Sequence, residues 1–198
     1  MRIKNNWFKA GREHTPVELA GAVAFTTCRI ADNALNHTRK ANFEIAVGPQ
    51  YFAFLSEFLI FLIQVADRIA FRQLSAEARF TFTSTLANRV AETFAENRSR
   101  LLSGTQEEAK QYFIEQLNQR ADGYAEFEYG ADGPSFTFTR YLGYCMDQVM
   151  DERDSGWIID QIMSIEAPDA VEMVEKTMRG LFETEPRQPR RKTSSSGE

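Results

Sequence analysis

Residues Tyr51–Phe71 read YFAFLSEFLIFLIQVADRIAF, and how this stretch is covered decides the fold. It is almost long enough to cross a bilayer, but a spanning helix needs about 20 apolar residues with few charges. Its longest run without a polar side chain is Phe58–Ile63. Glu57 in hydrocarbon would cost about 3 kcal/mol, and the chain offers no companion span to shelter it. On a helical wheel Glu57, Gln64 and Arg68 fall within about 40° of one another, and Ser56 and Asp67 widen that polar sector to about 120°. A helix apolar around the remaining two thirds of its girth belongs at the centre of a bundle, with neighbours on several sides.

Consecutive Phe61, Leu62 and Ile63 point in three directions, so one neighbour cannot cover them all. The sequence therefore leaves two coverings open. Either the chain's own helices suffice, or part of the face packs on a second copy. Phe54, Phe58, Phe61 and Leu62 are the candidate partner-binding residues, because a large exposed apolar patch usually marks a contact site. Glu57, Gln64, Asp67 and Arg68 are the candidate buried polar network. Glu57 or Asp67 would pair with Arg68, Arg72 or an arginine of another helix, orienting the central helix.

Helix signals continue on both sides. Thr15-Pro16-Val17-Glu18 combines a capping box with proline at the first helical position, and predicts a helix over 16–41. Gly48-Pro49 opens a helix over 50–73, Ser75 caps one over 76–100, and Thr105 with Glu108 forms a second capping box. The stretch 125–140 has two readings. Its alternation around a Gly-rich turn is that of a β-hairpin. A helix to about Tyr129, a turn over 130–135 and a new helix from Phe136 fit as well, since a lone hairpin is marginal without further strands. Apolar spacing then predicts a helix to about 153, a short one over 157–165, and a last one starting at Ala167-Pro168-Asp169. The expected fold is all-α: a single-domain bundle of six or seven helices, with α+β carrying one hairpin at 125–140 as the alternative.

Charge divides the chain into three parts. The first twelve residues carry +4 and the last thirteen +3, which leaves −12 for the body of a chain whose net charge is −5. The domain expectation is a basic N-terminal segment over 1–14, a helical domain over 15–185 and a disordered basic, Ser-rich tail over 186–198. An acidic body argues against nucleic-acid binding by the fold, which needs clustered Lys and Arg. Arg190-Arg191-Lys192-Thr193 resembles a basic-directed phosphorylation site.

Chemical motifs are missing. His14 and His37 are the only histidines, and neither follows a Glu by three positions as a di-iron bundle requires. The chain has no HExxH, Walker-type, GxGxxG or GxSxG pattern. Cys28 and Cys145 are lone thiols, read as small core residues of a reducing compartment. No cofactor, metal or catalytic residue is assigned. The expectation is a cytoplasmic, non-enzymatic protein-interaction module that self-associates through the Phe-rich face. Two other readings stay open: a binder of a small apolar molecule or lipid in an aromatic-lined cavity, and an enzyme of unknown class.

Overall fold

The computed structural model describes residues 14–182. The basic N-terminal segment up to residue 13 and the tail at 186–198 lie outside them. Among the described residues seven α-helices form one bundle: α1 Pro16–Lys40, α2 Pro49–Gln73, α3 Ala76–Leu101, α4 Gln106–Ala125, α5 Phe136–Asp147, α6 Trp157–Gln161 and α7 Ala167–Phe182. Among the described residues no helix is long and apolar enough to cross a membrane.

Local chemistry sets most of the helix starts. The Thr15 hydroxyl accepts from the Glu18 N–H at 3.2 Å, and the Glu18 carboxylate accepts from the Thr15 N–H at 3.0 Å. Thr105 and Glu108 repeat the exchange at 3.2 and 2.8 Å. Ser75 caps α3 and Ser135 caps α5 through their hydroxyls. Each such cap contributes about 1 kcal/mol by satisfying N–H groups that the first helical turn cannot pair.

Both readings of 125–140 hold a part of what is seen. Helix α4 stops at Ala125, short of Tyr129, and α5 starts at Phe136. Between them β1 (Tyr129–Gly130) and β2 (Gly133–Pro134) form a two-rung antiparallel ladder with Tyr129 opposite Pro134. Gly133 turns the chain with φ +106°, a conformation that a side chain disfavours.

Two expected boundaries are corrected. Helix α5 ends at Asp147, not near 153, because the Asp147 carboxylate accepts from the Ser155 hydroxyl and the Gly156 N–H, both at 2.6 Å. That clamp folds 148–156 into a loop. The last two predicted helices are also one continuous rod, joined by a π-helical turn over Ile162–Glu166. Pro168 has no N–H for an ordinary helical bond and its ring crowds the preceding turn. The chain widens there instead of stopping, and the Ala167 N–H reaches back five residues to the Ile162 carbonyl. Ile158, Ile162, Ala167 and Ala170 on the inner side of the rod are all buried, so continuing it keeps core contacts that a break would lose.

Helix α2 sits at the centre and packs against α1, α3, α4, α5 and α7. Phe54, Phe58, Phe61 and Leu62 are each 0% exposed. Phe54 stacks on Phe58 at 6.1 Å, Phe58 meets Phe61 edge-on at 6.1 Å, and Phe61 packs on Phe138 of α5 at 5.9 Å. The chain's own helices thus cover the four residues expected to face a partner, and this fold presents none of them on its surface. Burying each of these side chains contributes about 2 kcal/mol, which favours internal covering over waiting for a second copy.

Candidate functional site

The polar stripe of α2 is spread over several separate contacts. Glu57 pairs with Arg120 of α4, whose Nε lies 3.1 and 3.0 Å from the two carboxylate oxygens and whose Nη2 lies 2.6 Å from Oε1. Asp67 pairs with Arg79 of α3, with Nε at 2.9 Å, and accepts from the Thr83 hydroxyl at 2.6 Å. Arg68 donates to the Tyr124 carbonyl in the last turn of α4 at 3.0 Å. Arg72 donates to the Tyr129 carbonyl of β1 at 2.6 Å and lies over the Tyr129 ring. Gln64 is half-buried on the same stripe and joins neither ion pair. Glu57 and Asp67 do not meet; each ties α2 to a different neighbour, so the four expected network residues form no single cluster.

Glu57 itself is only 4% exposed. Tyr124, Tyr141 and Cys145 gather at the junction of α2, α4 and α5, with the Tyr124 and Tyr141 rings edge-on at 4.8 Å. The Tyr124 hydroxyl is buried without a hydrogen-bond partner, and burial pushes its pKa well up. Burial also pushes the Cys145 thiol up to about 12 and the Cys28 thiol up to about 11. A nucleophilic cysteine needs the opposite, a depressed pKa and access to substrate. These groups suit a rigid internal brace better than a reaction centre.

The surface offers a different kind of site. An open groove of about 470 Å³ runs between the β1–β2 turn, the start of α5 and the π turn with the first half of α7. Phe136, Met163, Pro168 and Val171 form its apolar part. Phe136 remains 68% exposed there, although it is large and apolar. Asp132, Glu172 and Glu175 supply three carboxylates, and among the described residues no lining residue is cationic. Glu175 accepts from the Tyr129 hydroxyl at 3.2 Å, which fixes it at the hairpin edge. Burial, then that carboxylate, push the Tyr129 phenol up, so it stays a donor. Ser164 also lines the groove. The groove therefore combines negative charge and apolar surface. Such a set suits guanidinium groups and repels an anion.

A second hollow of about 240 Å³ lies between α1 and α7, bordered by Arg29 and Lys176. Neither hollow is lined by Glu57 or Arg68. No group of acidic, histidine or cysteine side chains among the described residues is arranged to hold a metal ion.

The groove residues escaped the sequence reading. Asp132, Phe136, Met163 and Glu172 lie in four different segments, and no local spacing joins them. The one legible signal was Pro168 inside an apolar helical pattern, which that reading assigned to a helix start.

Among the described residues, fold and site together define an all-α helical bundle with a buried Glu57 paired to Arg120 and an acidic, partly apolar groove. Comparison with protein-family models, with curated proteins and with solved structures finds no match to this chain.

Proposed function

We propose that the protein is a non-enzymatic binding module that takes up an extended, arginine-rich segment of a protein in the groove between α5 and α7. The observation that carries this reading is the groove itself: three carboxylates with no lining cation among the described residues, beside the exposed ring of Phe136. Arginine suits it because the flat guanidinium pairs with carboxylates and also packs on aromatic and aliphatic surface. Self-association through Phe54, Phe58, Phe61 and Leu62 would require the bundle to open, at the cost of the core. A small apolar ligand inside the aromatic cluster is less favoured, because the rings of Phe54, Phe58, Phe61, Tyr124 and Phe138 pack on one another.

The test is a titration of fluorescein-labelled peptides, one Arg-rich and one with every Arg replaced by Gln, followed by anisotropy at low and moderate salt. The Arg-rich peptide should bind, weaken as salt rises, and lose at least tenfold in affinity against the full chain carrying D132K and E172K. Binding that ignores those two substitutions, or no binding at several hundred micromolar even to a full chain whose Arg187, Arg190, Arg191 and Lys192 are replaced by Gln, would remove the groove as the binding site.

A further inference from the structure

We infer that the first occupant of the groove is the chain's own C-terminal segment, Arg187–Lys192, so that the protein holds its binding site self-occluded. This rests on the groove being a site for arginine-rich chain.

The argument starts from α7. This helix begins at the groove, and its described part runs to Phe182. The sequence then continues ETEPRQPRRK, with Arg187, Arg190, Arg191 and Lys192 closely spaced. Seen along α7 at 1.5 Å per residue, Glu175 lies about 10 Å back from Phe182 and Pro168 about 21 Å back. Extended chain covers about 17 Å by Arg187 and about 30 Å by Arg191. A segment folding back along α7 can therefore bring Arg187 to Glu175, and Arg190 and Arg191 to Glu172 and Asp132. Four positive charges meet three negative ones. Pro186 and Pro189 lower the entropy lost when such a chain is laid down extended.

The basic N-terminal segment is a poorer fit. Helices α1 and α7 run antiparallel, since His37 lies beside Glu166 while Thr26 and Ile30 share a hollow with Met173 and Thr177. The α7 residues facing α1 and those facing the groove are roughly 140° apart around the helix axis. Chain leading into α1 thus starts on the wrong side of α7. Tethering also favours the C-terminal segment: a short linker gives a local concentration in the millimolar range, so even a weak contact is largely formed. An external arginine-rich partner must displace it.

The experiment uses the full chain throughout, with a fluorescein-labelled peptide of the sequence of residues 184–192 as probe. The proteins are the wild type, a tail-neutralised variant (R187Q, R190Q, R191Q and K192Q), and that variant with D132K and E172K added. The tail-neutralised variant should bind the probe at least tenfold more tightly than the wild type, and the added groove substitutions should abolish this gain. Equal affinity of wild type and tail-neutralised chains overturns self-occlusion. If an unrelated Arg-rich peptide then binds both equally, the groove still stands as a site; if no basic peptide binds either, both readings fall. Occlusion that disappears on dilution, with a dimer mass by light scattering, assigns the tail to a second copy and overturns the intrachain form. A gain produced by K9Q and R12Q instead of the tail substitutions assigns the N-terminal segment, and overturns it too.

Discussion

Arg120 on α4 holds both carboxylate oxygens of Glu57 on α2, and the Glu57 side chain is only 5% exposed while Arg120 keeps 23%. The asymmetry matters for stability. Removing Arg120 leaves a buried carboxylate without a counter-charge, whereas removing Glu57 leaves a long cation that can swing toward water. Arg120→Met should therefore cost about 3 kcal/mol, and Glu57→Leu clearly less. The double variant should lose less than Arg120→Met alone. Urea unfolding with unchanged m-values checks this, and a loss near zero for Arg120→Met would show that the pair braces nothing.

Two glycines in helices meet obstacles at the same distance but should respond in opposite directions. A Cβ at Gly123 would lie 2.4 Å from the Tyr141 hydroxyl oxygen and 2.5 Å from the ring carbon that bears it. That ring is packed edge-on against Tyr124 and cannot move freely. Gly123→Ala should cost about 2 kcal/mol through overpacking. A Cβ at Gly21 would meet only the end of the Arg89 guanidinium, also at 2.4 Å. Arg89 is exposed and flexible, so Gly21→Ala should be neutral or gain up to about 1 kcal/mol of helix propensity. Thermal melts of the two variants distinguish these outcomes, and a shared sign would contradict the reasoning.

Glu166, in the π turn, is 2% exposed. Burial pushes its pKa above the ordinary 4.5, and the nearby Asp169 carboxylate adds to this. The Gln161 amide donates to it at 2.9 Å, and His37 Nδ1 stands 3.7 Å away, both opposing the rise. A raised folded-state pKa means that the native state binds the proton more tightly than the unfolded chain. The associated stability is present below pH 4.5 and is lost as pH climbs through the folded-state value. Glu166→Gln should thus melt higher than the wild type at pH 7, and the gap should close below pH 4.5. An unchanged gap across that range would mean that the carboxylate titrates normally.

Both thiols are predicted to be unreactive in the native state. With Cys145 pushed up to about 12 and Cys28 to about 11, the thiolate is scarce at neutral pH. Ellman's reagent at pH 7.5 should label native protein about 100-fold more slowly than protein in guanidinium, which should release two equivalents. One equivalent released at once from native protein would reveal an open, activated cysteine.

The helix starts were legible because capping is short-range chemistry. Thr15 with Glu18 and Thr105 with Glu108 need only the next few residues to form their exchange. Where an element's end depended on a residue further along, the sequence was misleading. Asp147 is captured by Ser155 and Gly156, so α5 stops early. Pro168 looks like a helix start, but burial of Ile162 and Ala167 carries the rod through it as a π turn. Of the residues singled out on α2, the aromatic face was recognisable as apolar, yet its coverage by five other helices was not. The acidic groove was not legible at all.

The sequence by itself determined that this chain makes helices, where most of them begin, and that Tyr51–Phe71 must be shielded from water. It could do so because caps and apolar periodicity act within a few residues along the chain. Only the tertiary structure decided which partners shield that helix and where Glu57 and Asp67 find their arginines. It alone also brought Asp132, Phe136 and Glu172 together at one surface. Those outcomes depend on contacts between residues tens of positions apart, and such contacts exist only once the helices have packed.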